Sequence, residues 1–187
     1  MAFVTSVDER RQLLAIARDA IAAAIGGAPA PAPPLTGVLA RAAGAFVTVH
    51  NHGDLRGCIG HVEADQPLGR LIPRMAVAAA TADPRFRGVD ARELPQIDLE
   101  ISVLGPLETI DGPADIEIGR HGLVVERGAC RGLLLPQVAP EWKWDPATFL
   151  AHTCQKAGLP PDAWRSGARL FRFEAEVFGE RQHERGF

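Results

Sequence analysis

The run Leu55-Arg-Gly-Cys-Ile-Gly60 sets a thiol between two glycines, two positions after a guanidinium. A thiolate, not a thiol, is the nucleophile, and a partly exposed cysteine beside a cation ionises below its free value of about 8.5. On a regular strand Arg56 and Cys58 leave the same face, so the spacing predicts that Arg56 activates Cys58. Gly57 and Gly60 would leave backbone N–H groups open to an anion or a carbonyl oxygen. Packing is the competing explanation. A free cysteine is often a small buried hydrophobe, and strand glycines mark bulges or the close approach of another element.

Proton transfer needs a partner for that thiol. The chain has no tyrosine, which leaves His, Asp, Glu, Cys and Lys. His121, at the entrance to a strand, and Glu100 are the candidate acid–base groups. Asp83, before Pro84, reads as a turn former, and Arg85 as a partner for Glu100. His50, His52 and His61 cluster around one hairpin, but a turn beginning at Asn51 takes the first two off a common face. No third ligand is evident, and no metal is assigned. His152 and His183 read as surface positions. Trp142 and Trp144 bracket Lys143 as a stacking platform or a core edge. No P-loop, dinucleotide fingerprint, GxSxG or HExxH occurs, so no cofactor is implied.

The elements that position these residues alternate between helical and strand periodicity. Ser6 with Glu9 has capping-box spacing ahead of the stripe Leu13, Leu14, Ala17, Ile21 and Ala24, and Gly26-Gly27 ends that helix. Residues 28–34 carry four prolines and form an extended linker. Ala45–His50 and Leu55–Ile59 make a hairpin, followed by a helix from about Pro67 to Thr81. Ile97–Leu104 alternates as a strand. Gly122–Glu126 and Arg131–Leu135 pair around Arg127-Gly128, and a third helix begins at Asp145-Pro146 and stops at Gly158. Arg169–Phe178 is the last strand. The sum is an α+β chain with a largely antiparallel sheet and about three helices, read as one domain over residues 1–187.

With 187 residues, 47% apolar and 23% charged, the chain can bury a core of its own. A net charge of −3 disfavours nucleic-acid binding, although Arg56, Arg70 and Arg74 could form a local basic groove. No secretory signal or membrane-length apolar run is visible. Three scattered cysteines without a CxxC pair suit a reducing, cytoplasmic compartment.

Several motifs together resemble the AMME chromosomal region gene one family, whose prokaryotic members are called AmmeMemoRadiSam system protein A. They are Gly44-Ala-Phe-Val-Thr-Val49, the Leu55–Gly60 run, Asp83-Pro-Arg-Phe86, Leu99-Glu-Ile-Ser-Val-Leu104, Gly119-Arg-His-Gly-Leu123 and Gly132-Leu-Leu-Leu-Pro-Gln-Val-Ala139. Lys156-Ala-Gly-Leu-Pro160, Trp164 and Phe178-Gly-Glu180 match as well. The resemblance implies a two-lobed α+β domain with a cleft faced by Leu55, Arg56, Gly57, Cys58, Ile59 and Gly60, with Asp83 and Arg85 as further binding residues. It also implies association with a Memo-like protein and a radical S-adenosylmethionine (SAM) protein, and it brings no established reaction. Two functions follow as expectations. One is a ligand- or partner-binding component of that system. The other is a cysteine-dependent enzyme acting on a small anionic or carbonyl substrate, with Cys58, Arg56, His121 and Glu100 as its catalytic set. A nucleic-acid-associated regulator is a weaker third.

Overall fold

The structure, a computed structural model, describes residues 4–181. These fall into two compact units, the first of residues 4–104 with 176–181 and the second of residues 105–175.

In the first unit the capping box forms as its spacing predicts. Ser6 N–H donates to Glu9 Oε2 at 2.8 Å and Glu9 N–H to Ser6 Oγ at 3.3 Å, opening helix α1 (Val7–Ile25). Leu13, Ala17 and Ile21 are fully buried along its stripe. The linker residues 28–34 take no regular structure and are mostly exposed. Strands β1 (Ala45–Asn51), β2 (Asp54–His61) and β3 (Ile97–Leu104) form an antiparallel sheet with β1 in the middle. The hairpin turns through His52 and Gly53, with φ of 51° and 93°, the left-handed pair that matches strand twist. One face presents Ala45, Val47, Val49, Leu99, Ile101 and Val103, all buried, to helix α2 (Leu68–Thr81) and α1. The opposite face carries Phe46, Thr48 and His50 with Ser102, Glu100 and Asp98 beside them.

The second unit repeats the hairpin-then-helix order. Strands β5 (His121–Arg127) and β6 (Cys130–Leu134) pair around Gly128, and helix α4 (Pro146–Lys156) packs on them, capped by Asp145 Oδ1 accepting from Thr148 N–H at 2.7 Å. Strand β7 (Arg169–Gly179) pairs with β5 on one side and with the short β4 (Glu108–Ile110) on the other. Phe149, Leu150 and Cys154 meet Leu123, Val125, Leu170 and Ile110 in its core. The α+β, antiparallel character is as expected. The five-residue helix α3 (Val138–Trp142) raises the helix count to four, and both it and β4 are too short to show a period in sequence. No helix among the described residues is long and apolar enough to cross a membrane.

Candidate functional site

The hairpin β1–β2 does not keep one register. Asn51 pairs with Asp54 and His50 with Leu55, but Val49 pairs with Gly57, leaving Arg56 as the extra residue of a β-bulge. The bulge removes Arg56 from the alternation that would have set it beside Cys58. Its guanidinium instead forks onto Glu93, Nε to Oε1 and Nη2 to Oε2, both at 3.0 Å, and donates to the carbonyls of Arg87 and Gly88. Arg56 therefore ties β2 to the 87–93 loop, and the expected activation of Cys58 by Arg56 is corrected.

Cys58 is organised by Asp83 instead. The Asp83 side chain is only 2% exposed and accepts four hydrogen bonds. Cys58 N–H (2.9 Å) and Arg85 Nη2 (2.7 Å) reach Oδ2, while Arg85 Nε (3.0 Å) and Arg85 N–H (3.1 Å) reach Oδ1. The Arg85 contacts, with the two backbone donors, hold this carboxyl well below the usual carboxylate range despite its burial. Arg85 thus pairs with Asp83 rather than with Glu100. Its side chain stays half exposed, 5.3 Å above the Phe86 ring centre.

Both glycines of the run serve packing. A Cβ at Gly57 would lie 2.0 Å from the Ala79 carbonyl oxygen, so α2 touches β2 backbone to backbone there. A Cβ at Gly60 would fall 2.2 Å from the Phe46 ring, which covers that glycine on the open face. Leu55 is 42% exposed and Ile59 pairs with Val47.

Cys58, Thr48 and Glu100 lie in one row across β2, β1 and β3 on the open face. Thr48 Oγ1 lies 3.3 Å from Cys58 Sγ. Glu100 is two strands from Cys58, with Thr48 between them, about 10 Å from backbone to backbone at the usual strand spacing. Burial pushes the half-buried Cys58 thiol up; the Thr48 hydroxyl and the Arg85 charge pull against it, and Asp83 and Glu100 add to the rise. The cation that reaches this thiol is Arg85. In a Cys130→Ser background, which removes the exposed cysteine, Cys58 is expected to alkylate with iodoacetamide more slowly than free cysteine at about pH 7, its rate still rising at about pH 9. Arg85→Ala should move the profile to higher pH and Arg56→Gln should not. A rate already at its plateau near neutral pH would overturn this account of the thiol.

Of the other sequence candidates, His121 belongs to the second unit. Its Nδ1 accepts the Glu117 N–H at 2.9 Å, so the neutral ring carries its proton on Nε2. Burial first, then Arg172 and Arg120, push its pKa down. His52 sits in the turn and faces Gln96 at 3.3 Å, and His61 pairs with Asp65 at 2.9 Å. Among the described residues no three His, Cys, Asp or Glu side chains gather as a metal site. Trp144 stacks on His152 at 3.9 Å and lies 6.2 Å from Trp142, which is 67% exposed. His183 lies outside the described residues. Thr48 and Glu93, partners of Cys58 and Arg56, are the site residues that the sequence alone did not single out.

Both units fall within one known family. A family model described as AMMECR1 matches residues 14–178, a span that includes Arg56, Cys58, Asp83, Arg85, Glu100 and His121. The chain belongs to the AMMECR1 family. It is 48% identical over 184 residues to a protein of Methanothermobacter thermautotrophicus, covering 94% of this chain and 96% of that one. A Methanosarcina acetivorans protein is 43% identical over 186 residues, with 94% of each covered. The crystal structure of an uncharacterized protein from Pyrococcus horikoshii superposes with a TM-score of 0.85 at 41% identity, over 90% of each chain. The AMMECR1 assignment establishes family and fold.

Proposed function

We propose that this AMMECR1 protein is a ligand- or partner-binding component that acts with a Memo-like protein and a radical SAM protein, through the edge of the first unit around Cys58. The observation that carries this reading is that, among the described residues, the group hydrogen-bonded to the Cys58 sulfur is the Thr48 hydroxyl and not a base. Arg56 is spent on Glu93, Asp83 is saturated with donors, and Glu100 is two strands away. What the edge does offer is a half-exposed guanidinium at Arg85, held by Asp83, and an exposed aliphatic side chain at Leu55. Oriented arginines and exposed apolar residues are common anchors of protein interfaces.

Mixing the purified chain with the purified Memo-like and radical SAM proteins is expected to give a complex by size-exclusion chromatography with light scattering. Leu55→Asp or Arg85→Ala should weaken it at least tenfold. No complex with either protein, or one indifferent to both substitutions, would end this reading. The cysteine-dependent enzyme is the second reading, favoured by the Thr48 hydroxyl at the sulfur and the pull of Arg85 on the thiol. Cys58→Ser leaving assembly intact while abolishing turnover by the assembled proteins would favour it.

A further inference from the structure

Strand β2 stands at the edge of its sheet, with β1 on one side and no strand among the described residues on the other. The ladder decides where its outer main-chain groups point. Cys58 N–H goes to Asp83 Oδ2 at 2.9 Å and so not to β1, which makes Thr48–Cys58 a non-hydrogen-bonded pair. Phe46–Gly60, two residues along, is a pair of the same kind. The Cys58 carbonyl, the Gly60 N–H and the Gly60 carbonyl therefore face outward from the edge. Among the described residues no turn, loop or side-chain partner meets them. Cys58, Ile59 and Gly60 are each partly exposed. The Phe46 ring covers Gly60 from the open face, perpendicular to the hydrogen-bonding edge.

Native sheets guard an open edge with bulges, charges or a covering loop. Here the guards stop at Cys58. Arg56 is the bulge and binds the Arg87 and Gly88 carbonyls, and Asp83 takes the Cys58 N–H. From the Cys58 carbonyl to Gly60 the edge keeps acceptors and a donor at main-chain spacing. Another extended peptide backbone has the groups to match them.

The second, independent feature is the charge where the guards end. Asp83 Oδ2 accepts from both Cys58 N–H and Arg85 Nη2, so guanidinium and strand edge meet on one oxygen. Asp83 is 2% exposed and Arg85 51%, so the pair turns its positive end outward. Arg85 gives Nε and Nη2 to Asp83, while its Nη1 has no acceptor among the described residues. A guanidinium held this way can take a second carboxylate in a charge-assisted bond.

An antiparallel strand on this edge would pair one residue with Gly60, exchanging both bonds, and run toward Cys58. Two residues later it would give its N–H to the Cys58 carbonyl. Its own carbonyl would then need the Cys58 N–H, which Asp83 already holds. The ladder ends where Arg85 stands, and a chain that ends there in a carboxylate suits both features. We propose that the β2 edge binds the extended C-terminus of a partner protein. Its main chain pairs with Gly60 and Cys58, its terminal carboxylate meets Arg85, and an apolar side chain two residues before the end packs beside Phe46. This site deepens the binding role proposed above and rests on it for the identity of the partner.

The test is an amide NMR titration of the isotope-labelled full chain with the peptide acetyl-Thr-Val-Thr-Val. Saturable shifts are expected, centred on Cys58, Ile59, Gly60 and Arg85. The C-terminal amide of the same peptide should bind at least fivefold more weakly, and the peptide methylated on the nitrogen of its first valine at least tenfold. Arg85→Ala should bring acid and amide to the same affinity. In the complex with the Memo-like and radical SAM proteins, the Gly60 N–H should exchange with deuterium at least tenfold more slowly than in the free chain. No saturable shifts, or a methylated peptide that binds as well as its parent, would overturn the edge site even where that complex forms. A complex that leaves Gly60 exchange unchanged would overturn the edge as its docking point. Peptide binding without any complex would uphold the edge site and remove those two proteins as its occupants.

Discussion

Asp83→Ala is expected to destabilise the protein by about 3 kcal/mol in urea unfolding, because it removes one carboxylate that satisfies four donors at once. Arg85 is half exposed and can turn to water, so most of the loss comes from the Cys58 and Arg85 N–H groups left without an acceptor. Asp83→Asn keeps the volume but presents an NH2 group to donors, and should cost about 2 kcal/mol. The two chains should also differ in their response to acid. Arg85 and the backbone donors hold the folded-state pKa of Asp83 well below its unfolded value, which is near 3.9. A depressed folded pKa gives stability that is complete above the unfolded value and lost as pH falls toward the folded one. The gap between wild type and Asp83→Asn should therefore be constant from about pH 8 to about pH 5 and narrow below about pH 4. A gap under about 1 kcal/mol at neutral pH, or one that does not narrow in acid, would show that Asp83 is not the clamp between the 83–86 turn and β2.

Local chemistry was legible in the sequence, and register was not. The capping box at Ser6 and Glu9, the alternation of β3 and the Asp145-Pro146 helix start depend on neighbours within a few residues, and each appears where its spacing puts it. The chemistry at Cys58 depends on a count across the hairpin. An unbroken ladder from Asn51 and Asp54 would set Thr48 opposite Gly57; the bulge at Arg56 sets it opposite Cys58. One inserted residue thus created the Thr48–Cys58 contact and sent Arg56 to Glu93, 37 positions away in sequence. No periodicity announces such a bulge, and no local rule pairs Asp83 with an N–H 25 residues earlier. The clue available was the run of small residues itself, since glycine beside a bulge signals close approach without naming what approaches.

Gly57→Ala and Gly60→Ala test whether that close approach is packing or ligand access, and they should differ. At Gly57 the new methyl meets backbone, the Ala79 carbonyl oxygen at 2.0 Å, so α2 must shift away from β2 or the strand must bend. The cost should reach about 3 kcal/mol or more, at the upper end for overpacking, because neither backbone has a rotamer to change. At Gly60 the obstacle is the Phe46 side chain, which sits on the open face and is only partly buried. It can leave its rotamer for a cost of about 1–2 kcal/mol, made of lost ring contact and side-chain strain. The second unit offers a parallel pair. Gly132 meets the Ala157 backbone at 2.3 Å and Gly122 the Phe173 ring at 2.3 Å, so each sheet has one glycine that admits a helix and one roofed by a phenylalanine. Urea midpoints should rank Gly57→Ala well below Gly60→Ala in stability, and Gly132→Ala should fall with Gly57→Ala. Were Gly57→Ala to unfold like wild type while failing to bind the partner proteins, the glycine would be reserved for a ligand and the helix contact would be incidental. The 2.0 Å approach of a backbone carbonyl makes the opposite outcome the expected one.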